Sequence, residues 1–365
     1  MPSIAFIVSH SSAGGAQELW SNIAETFAAR GHQVFLVAFY PYKGEVRKTQ
    51  TISWKYILKR KPVGIADQIA AFLRLARFLR STNVEYAFTA LPAANVVVPL
   101  AAAFARCRTK VITSHHGPAE TYNRLLRKAD AVVSKLTRVS KIVCVSNTVA
   151  ESLVVERGDC RKRIVIKNAL SVPIESLISS LLEKYPPNAR CGRTVVATGR
   201  LARQKNYKML LRAAVHMPDV RIRIVGTGPE EADLKDLAET LGVANRIEFL
   251  GFRQREDAIS ILAQGDVFVQ PSLYEGHSLA LVEAAKLGIP LVVTNVPVQV
   301  EAITASDGSR CGIAVELNDA RALAETILDL LRRKDLYNQY VARAQQLGEE
   351  FSFGTMIAQY ERLLA

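Results

Sequence analysis

Arg200 and Lys205 stand five residues apart, directly after the apolar run Val195-Val196-Ala197-Thr198-Gly199. A planar guanidinium fork and a mobile ammonium at that spacing can hold a diphosphate from two sides. The same logic repeats at Arg223-Ile224-Val225-Gly226-Thr227-Gly228-Pro229-Glu230, a strand-like stretch ending in a glycine turn. Such turns leave open backbone at the carboxyl ends of strands, where α/β proteins bind ligands. The most informative stretch runs from Pro271 to Pro290. A loop with Glu275, Gly276 and His277 leads into a helix expected from Ser278 and Leu279; Glu283 lies inside it, and Gly288 and Pro290 stop it. A ligand across that helix mouth would put phosphates on its free N–H groups and hydroxyls on the two carboxylates. At the amino-terminal end, Ser9-His10-Ser11-Ser12-Ala13-Gly14-Gly15 is a further turn of small residues before a helical run. It is not G-x-G-x-x-G, and no Asp-x-Asp metal motif occurs in the chain. Taken singly, each stretch also reads as solvated loop cations, a geometric turn or a solvated helix charge.

These residues need a scaffold, and the chain alternates short apolar strands with amphipathic helices, the pattern of parallel sheets covered on both faces. The first strands are expected at Ser3–Val8, Gln33–Phe39, Val84–Thr89, Lys110–Ser114, Lys141–Val145 and Arg163–Ile166. After a loop marked by Pro186-Pro187-Asn188 the pattern restarts at Thr194–Thr198, Arg221–Val225, Arg246–Phe249, Val267–Gln270 and Pro290–Thr294. Two doubly wound halves are expected, in 365 residues that suit two domains. Hydrophobic residues at 49% and charged residues at 22% exclude disorder, collagen and coiled coil for the whole. Five scattered cysteines (Cys107, Cys144, Cys160, Cys191, Cys311) argue against a disulfide framework or zinc site and fit a reducing compartment. The first residues carry no basic region before their short apolar run, so they read as a strand, not a signal peptide. The uncharged stretch Tyr86 to Ala105 is about as long as a bilayer crossing but is interrupted by Pro92, Asn95 and Pro99, and reads as a buried strand and helix.

The formal charge is +13, and it is unevenly spread. Residues 1–173 hold 25 Lys and Arg against 10 Asp and Glu, whereas residues 174–365 hold 22 against 24. Density peaks from Lys43 through Arg47, Lys48, Lys55, Lys59, Arg60 and Lys61 to Arg80, interleaved with Trp54, Tyr56, Ile57 and Leu58. Rings and aliphatic chains among cations suit a headgroup boundary on an anionic leaflet. Helical spacing puts Ile65, Ile69, Phe72, Leu73, Ala76 and Leu79 on one face, to pack on a sheet or to meet lipid. No nucleic-acid-binding pattern accompanies the charge, so a nucleic-acid partner is not expected.

In order along the chain, Gly14-Gly15-Ala16, His116-Gly117, Gly199-Arg200-Leu201 with Gln204-Lys205-Asn206, Gly226 to Glu230, Phe249-Leu250-Gly251 and the Glu275 to Glu283 phrase resemble glycosyltransferase family 4, the retaining group 1 glycosyltransferases of GT-B fold. The resemblance implies two Rossmann-like domains facing an interdomain cleft. They would be an acceptor-binding domain over residues 1–172, basic and membrane-facing, and a nucleotide-sugar-binding domain over 173–352. A helix over 353–365 would return to the first domain. It further implies that Arg200 and Lys205 hold the donor diphosphate, that Glu275 and His116 face the donor sugar, and that Glu283 takes the ribose hydroxyls. Gly15, Gly199, Gly226, Gly228, Gly276, Ser278 and Leu279 would approach the donor through backbone. His115 adjoins His116, and His116 is preferred because the family places its histidine before glycine or aspartate. His277 reads either as a donor contact or as a loop histidine.

The activity so implied is hexosyl transfer from a UDP- or GDP-sugar to a lipid-linked or saccharide acceptor, without metal or other cofactor. The setting would be the inner face of the cytoplasmic membrane, with Lys55, Lys59, Arg60 and Lys61 toward membrane or acceptor. Alternatives are a sugar-nucleotide epimerase, a phosphorylase lacking a placeable pyridoxal phosphate lysine, and a non-catalytic sugar-nucleotide-binding or membrane scaffold. A dinucleotide oxidoreductase is disfavoured by the missing G-x-G-x-x-G turn.

Overall fold

The structure is a computed structural model describing residues 1–12, 14–42, 49, 51–153, 162–187, 190 and 192–364. Lys43, Arg47, Lys48, Cys160, Asn188 and Cys191, all used above, lie outside the described residues. The chain forms two compact units, Met1–Lys167 with Met356–Ala365, and Asn168–Thr355.

In the first unit seven parallel strands, β1 (Ser3–His10), β2 (Gln33–Tyr40), β3 (Trp54–Tyr56), β4 (Tyr86–Ala90), β5 (Lys110–His115), β6 (Val139–Cys144) and β7 (Arg163–Val165), lie in the order β3-β2-β1-β4-β5-β6-β7. In the second, β8 (Thr194–Thr198), β9 (Arg221–Val225), β10 (Ile247–Phe249), β11 (Val267–Gln270), β12 (Leu291–Thr294) and β13 (Ile313–Val315) lie parallel in the order β10-β9-β8-β11-β12-β13. The two sheets thus share one topology. In each, the order reverses beside the first strand, between β1 and β4 and between β8 and β11, and it is at such a switch point that open α/β sheets bind ligands. The continuous apolar runs of β4, β11 and β12 are buried throughout, as strands covered on both faces must be. Only β3 and β13 were not expected. Each has three residues at a sheet edge, too few to display an alternation.

Helix α1 (Gly15–Ala29) sets Trp20 and Phe27 against Phe6 of β1; Phe88 of β4 stacks on Phe6 at 5.1 Å, and Tyr360 packs edge-on to Trp20 at 5.5 Å. Tyr360 lies in the helix Phe353–Glu361, whose Glu361 also pairs with Arg30. The opposite face carries α2 (Gly64–Thr82) and α3 (Pro92–Phe104) on Ala5, Ile7, Val37 and Ala87.

One expectation fails here. The α2 row that meets the sheet is Leu75, Ala76 and Leu79, with Phe72 and Phe78 partly buried beside it, whereas Ile65, Ile69 and Leu73 are exposed. The apolar stripe of α2 is wide enough to offer two rows, and only one can face the core. The stretch Tyr86 to Ala105 is the strand and helix expected, β4 followed by α3, with Asn95 and Pro99 inside the helix. Asn95 accepts from Thr89 Oγ1 at 2.7 Å and donates to the Ser114 carbonyl at 2.9 Å, while Pro99 removes one backbone donor from an otherwise buried helix. Among the described residues no helix is long and apolar enough to cross a membrane. Cys107, Cys144 and Cys311 are buried free thiols.

Candidate functional site

The candidate site residues of the second unit gather at its switch point. From β8 the chain turns at Gly199 (φ 145) through exposed Arg200 into a short 3-10 turn, Arg203–Lys205. From β11 it runs into Pro271–Ser278 before the helix Leu279–Lys286. The two turns are joined by side chains and backbone. Lys205 Nζ donates to Glu275 Oε1 at 2.7 Å, with only 14% and 10% of the two side chains exposed. Gln204 Nε2 donates to the Tyr274 carbonyl at 3.0 Å and to Glu275 Oε2 at 3.3 Å, and Leu273 N donates to the Gln204 carbonyl at 2.8 Å. Lys205 and Glu275, given separate duties by the sequence resemblance, are therefore partners. The fully buried Tyr207 hydroxyl beneath them is pushed well above its ordinary value, by burial first and by Glu275 second.

The glycines of this region are required by contact. A Cβ on Gly226 would lie 2.0 Å from the Gly199 carbonyl oxygen, and one on Gly228 would lie 2.2 Å from that of Leu201. Gly199 N bonds the Val225 carbonyl at 2.9 Å, Leu201 N that of Thr227 at 3.0 Å, and Gly226 N that of Gly251 at 2.9 Å. Three loops after β8, β9 and β10 are thus stacked backbone on backbone.

Behind the Glu275 loop runs a buried polar chain absent from the sequence reading. Ser278, the N-cap, accepts from Leu281 N and donates through Oγ to Gln270 Oε1 at 2.7 Å. Gln270 Nε2 donates to Gln299 Oε1 at 2.7 Å, and Gln299 Nε2 in turn reaches the Gln270 and Ser272 carbonyls and the Thr294 hydroxyl. Ser272 Oγ closes the chain on Glu275 Oε1 at 2.7 Å. The available signal was a glutamine at the end of the apolar strand Val267–Gln270 and another in the apolar stretch Pro297–Val300. Such groups are tolerated in a core only when bonded.

Glu283 is buried, not a solvated helix charge, and is held by Arg255 of the helix Arg255–Leu262, a residue the sequence reading passed over. His277 is buried and packs edge-on to Phe351 at 5.0 Å, and its carbonyl accepts from Asn168 Nδ2 at 2.8 Å. That contact gives the histidine a packing role inside the unit.

In the first unit, Gly15 begins α1 beside the end of β1, where Gln17 Nε2 donates to Ser12 Oγ at 3.0 Å and to the His10 carbonyl at 3.3 Å. The adjacent histidines after β5 differ. His115 is sealed, with Tyr122 OH 3.2 Å from Nδ1 and Asp130 near Nε2. His116 is half-buried, 3.0 Å from Ser114 Oγ and edge-on to Trp20, and burial lowers its pKa to about 4. It is neutral at physiological pH and can act as a hydrogen-bond partner but not as a cation. Of the basic residues before α2, Lys55 lies 4.4 Å over the Phe35 ring, Arg60 pairs with Asp67 at 3.0 Å, and Lys59 and Lys61 are exposed.

The profile of glycosyl transferases group 1 matches residues 187–347, and that of glycosyltransferase family 4 matches residues 13–171. The chain belongs to the family 4, group 1 glycosyltransferases. It is 23% identical over 98% of both chains to an uncharacterized glycosyltransferase of Haemophilus influenzae. A phosphatidylinositol N-acetylglucosaminyltransferase subunit of Saccharomyces cerevisiae is 28% identical over 44% of this chain; the match spans only 37% of that protein. Among solved structures, Anabaena Alr3699/HepE in complex with UDP and glucose aligns with a TM-score of 0.82 at 19% identity, over 100% of this chain and 99% of that one. The transferase therefore has the GT-B fold, with a parallel sheet in each of two domains.

Proposed function

We propose that this glycosyltransferase moves a sugar, with retention of anomeric configuration, from a UDP- or GDP-sugar to a hydroxyl of a lipid-linked or surface-polysaccharide acceptor. The work would be done at the inner face of the cytoplasmic membrane. The observation that carries the donor reading is the Lys205–Glu275 pair at the switch point of the second sheet, next to Arg200 and the N-terminus of the helix Leu279–Lys286. A diphosphate there would meet a guanidinium, an ammonium and free backbone N–H groups. Glu283, oriented by Arg255, would accept from the ribose hydroxyls, and Glu275 would face the sugar while holding Lys205 in place. The UDP and glucose bound by the Anabaena neighbour support a uridine donor.

In the transfer step the bond from the anomeric carbon to the leaving diphosphate breaks, through a state of oxocarbenium character. The bond to the acceptor oxygen forms on the same face, and the acceptor proton passes to the leaving phosphate. Negative charge grows on the diphosphate, where Arg200, Lys205 and the helix N–H groups would stabilise it. These cations would make a metal ion unnecessary, so activity should persist in EDTA. Neutral His116 would lie beside the donor sugar as a hydrogen-bond partner.

The test is a thermal-shift panel of UDP-, GDP- and ADP-sugars, followed by NMR of the product's anomeric proton. A ligand at about 100 times its Kd adds about 2.7 kcal/mol of stability. Stabilisation by none of the nucleotide sugars, or an inverted product, would defeat the proposal. Isomerised donor in the absence of acceptor would indicate an epimerase.

A further inference from the structure

Tyr207 opens the helix Tyr207–Ala214 and is 2% exposed, its ring sharing the apolar core of the second unit with Leu201, Leu210 and Leu211. Its hydroxyl is buried and has no hydrogen-bond partner among the described residues. A hydroxyl withdrawn from water without a partner costs stability, and phenylalanine would fill the same space without that cost. An orphan of this kind calls for a reason.

The hydroxyl adjoins the Lys205–Glu275 pair. A Cβ on Gly199 would lie 3.2 Å from the Tyr207 oxygen and 2.7 and 3.3 Å from Cε and Cδ of Lys205. The tyrosine oxygen and the lysine stem therefore flank the same bare stretch of backbone. From there Lys205 reaches Glu275 Oε1, which also accepts from Ser272 Oγ at 2.7 Å, while Oε2 accepts from Gln204 at 3.3 Å. Burial first and Glu275 second raise the pKa of Tyr207, so the hydroxyl keeps its proton and is a donor near a carboxylate that another donor already holds. A diphosphate that draws the Lys205 ammonium to itself takes the cation from a carboxylate whose side chain is only 10% exposed. A carboxylate so buried needs a replacement donor.

We infer that Tyr207 is that replacement, a positioning residue whose hydroxyl bonds to Glu275 when Lys205 turns to the donor diphosphate. The inference rests on the donor reading above and adds to it an exchange of partners in which no proton changes hands. Lys205 leaves one anion for another, Glu275 stays held beside the donor sugar, and a hydroxyl idle in the free chain gains its partner only in the complex. The cost of the orphan is thus relieved on binding, which favours the complex over the free chain.

Two measurements test the exchange. Urea midpoints are taken without nucleotide for wild type, Tyr207→Phe, Lys205→Met and the double variant, methionine keeping the stem over Gly199. Tyr207→Phe alone should leave the midpoint unchanged or raise it. On the Lys205→Met background it should lower it, because there the hydroxyl already holds Glu275. Affinity for UDP, or for GDP where wild type binds that instead, is then measured by calorimetric titration. Tyr207→Phe should weaken binding about tenfold, as loss of a hydrogen bond to a charged group does, and should have no effect on the Lys205→Met background. A lowered midpoint in Tyr207→Phe alone would make the hydroxyl a structural donor of the free chain and overturn the inference. Equal effects on both backgrounds, or unaltered nucleotide affinity in Tyr207→Phe, would overturn it as well. The midpoint and affinity of Tyr207→Phe alone decide the matter if Lys205→Met does not fold. Wild-type protein that binds neither nucleotide would defeat the donor reading, and the urea midpoints then decide by themselves whether Tyr207 stands in for Lys205 on Glu275.

Discussion

Arg255 closes a salt bridge on Glu283 inside the second unit, with 14% and 8% of the two side chains exposed. A carboxylate removed from water needs a partner, and here the partner is the first residue of a neighbouring helix. Arg255 therefore fixes the direction in which Glu283 can accept a further hydrogen bond.

Arg255→Ala should cost about 3 kcal/mol in urea denaturation, because the buried glutamate loses its guanidinium partner. Arg255→Lys should restore most of the stability while leaving the KM for the donor raised and kcat nearly unchanged, since an ammonium does not reproduce the fork. A wild-type donor KM in the lysine variant would deny Arg255 an orienting role.

Lys205→Ala should lower kcat by about 10²–10³, the loss expected when one preorganised charge is removed from a developing anion. The change also strands Glu275, so Lys205→Ala with Glu275→Gln should be more stable than Lys205→Ala alone. Steady-state rates and melting temperatures of the three variants decide this, and unchanged turnover in Lys205→Ala removes the lysine from the site.

Gly226→Ala and Gly228→Ala should each destabilise by about 1–3 kcal/mol or more, since the added carbon meets backbone that cannot rotate away. Gly226 also holds φ at 140°, which alanine rarely adopts. Nucleotide affinity should fall with stability, because the same contact stacks the loops after β8 and β9.

Burial holds His116 neutral down to about pH 4, whereas the unfolded chain takes up a proton near the ordinary value of 6.5. The unfolded state binds the additional proton in that window, so stability should be fully present above pH 6.5 and decline as pH falls toward 4. His116→Asn should flatten that decline. Urea midpoints across the window test it, and an identical acid decline in wild type and variant would refute it.

Much of this architecture is legible in the amino-acid sequence. Thr194–Thr198, Arg221–Val225 and Val267–Gln270 are strands with the expected limits, because short runs rich in β-branched and aromatic residues bounded by glycine or proline admit little else. The helix start at Ser278 and stop at Gly288 followed from capping chemistry. The face of α2 was not legible, since periodicity groups apolar residues without saying which of two adjoining rows meets a sheet. Nor were the partners of Glu275 and Glu283. Lys205 lies 70 positions from Glu275 in sequence, and only the parallel neighbours β8 and β11 bring their turns together. The Gln270–Gln299 chain was hidden for the same reason, Gln270 ending β11 and Gln299 lying in the short helix Pro297–Ala302 after the neighbouring strand β12.

Tyr360 has one consequence for synthesis. Trp20, Phe88 and Tyr360 form one aromatic cluster, yet the third ring is made only after the whole stretch Asn168–Thr355 has been translated. That intervening stretch is continuous and can close its own core as it emerges. The amino-terminal half, first to be translated, is then the last to be finished, and until Tyr360 arrives the rings of Trp20 and Phe88 lack part of their cover.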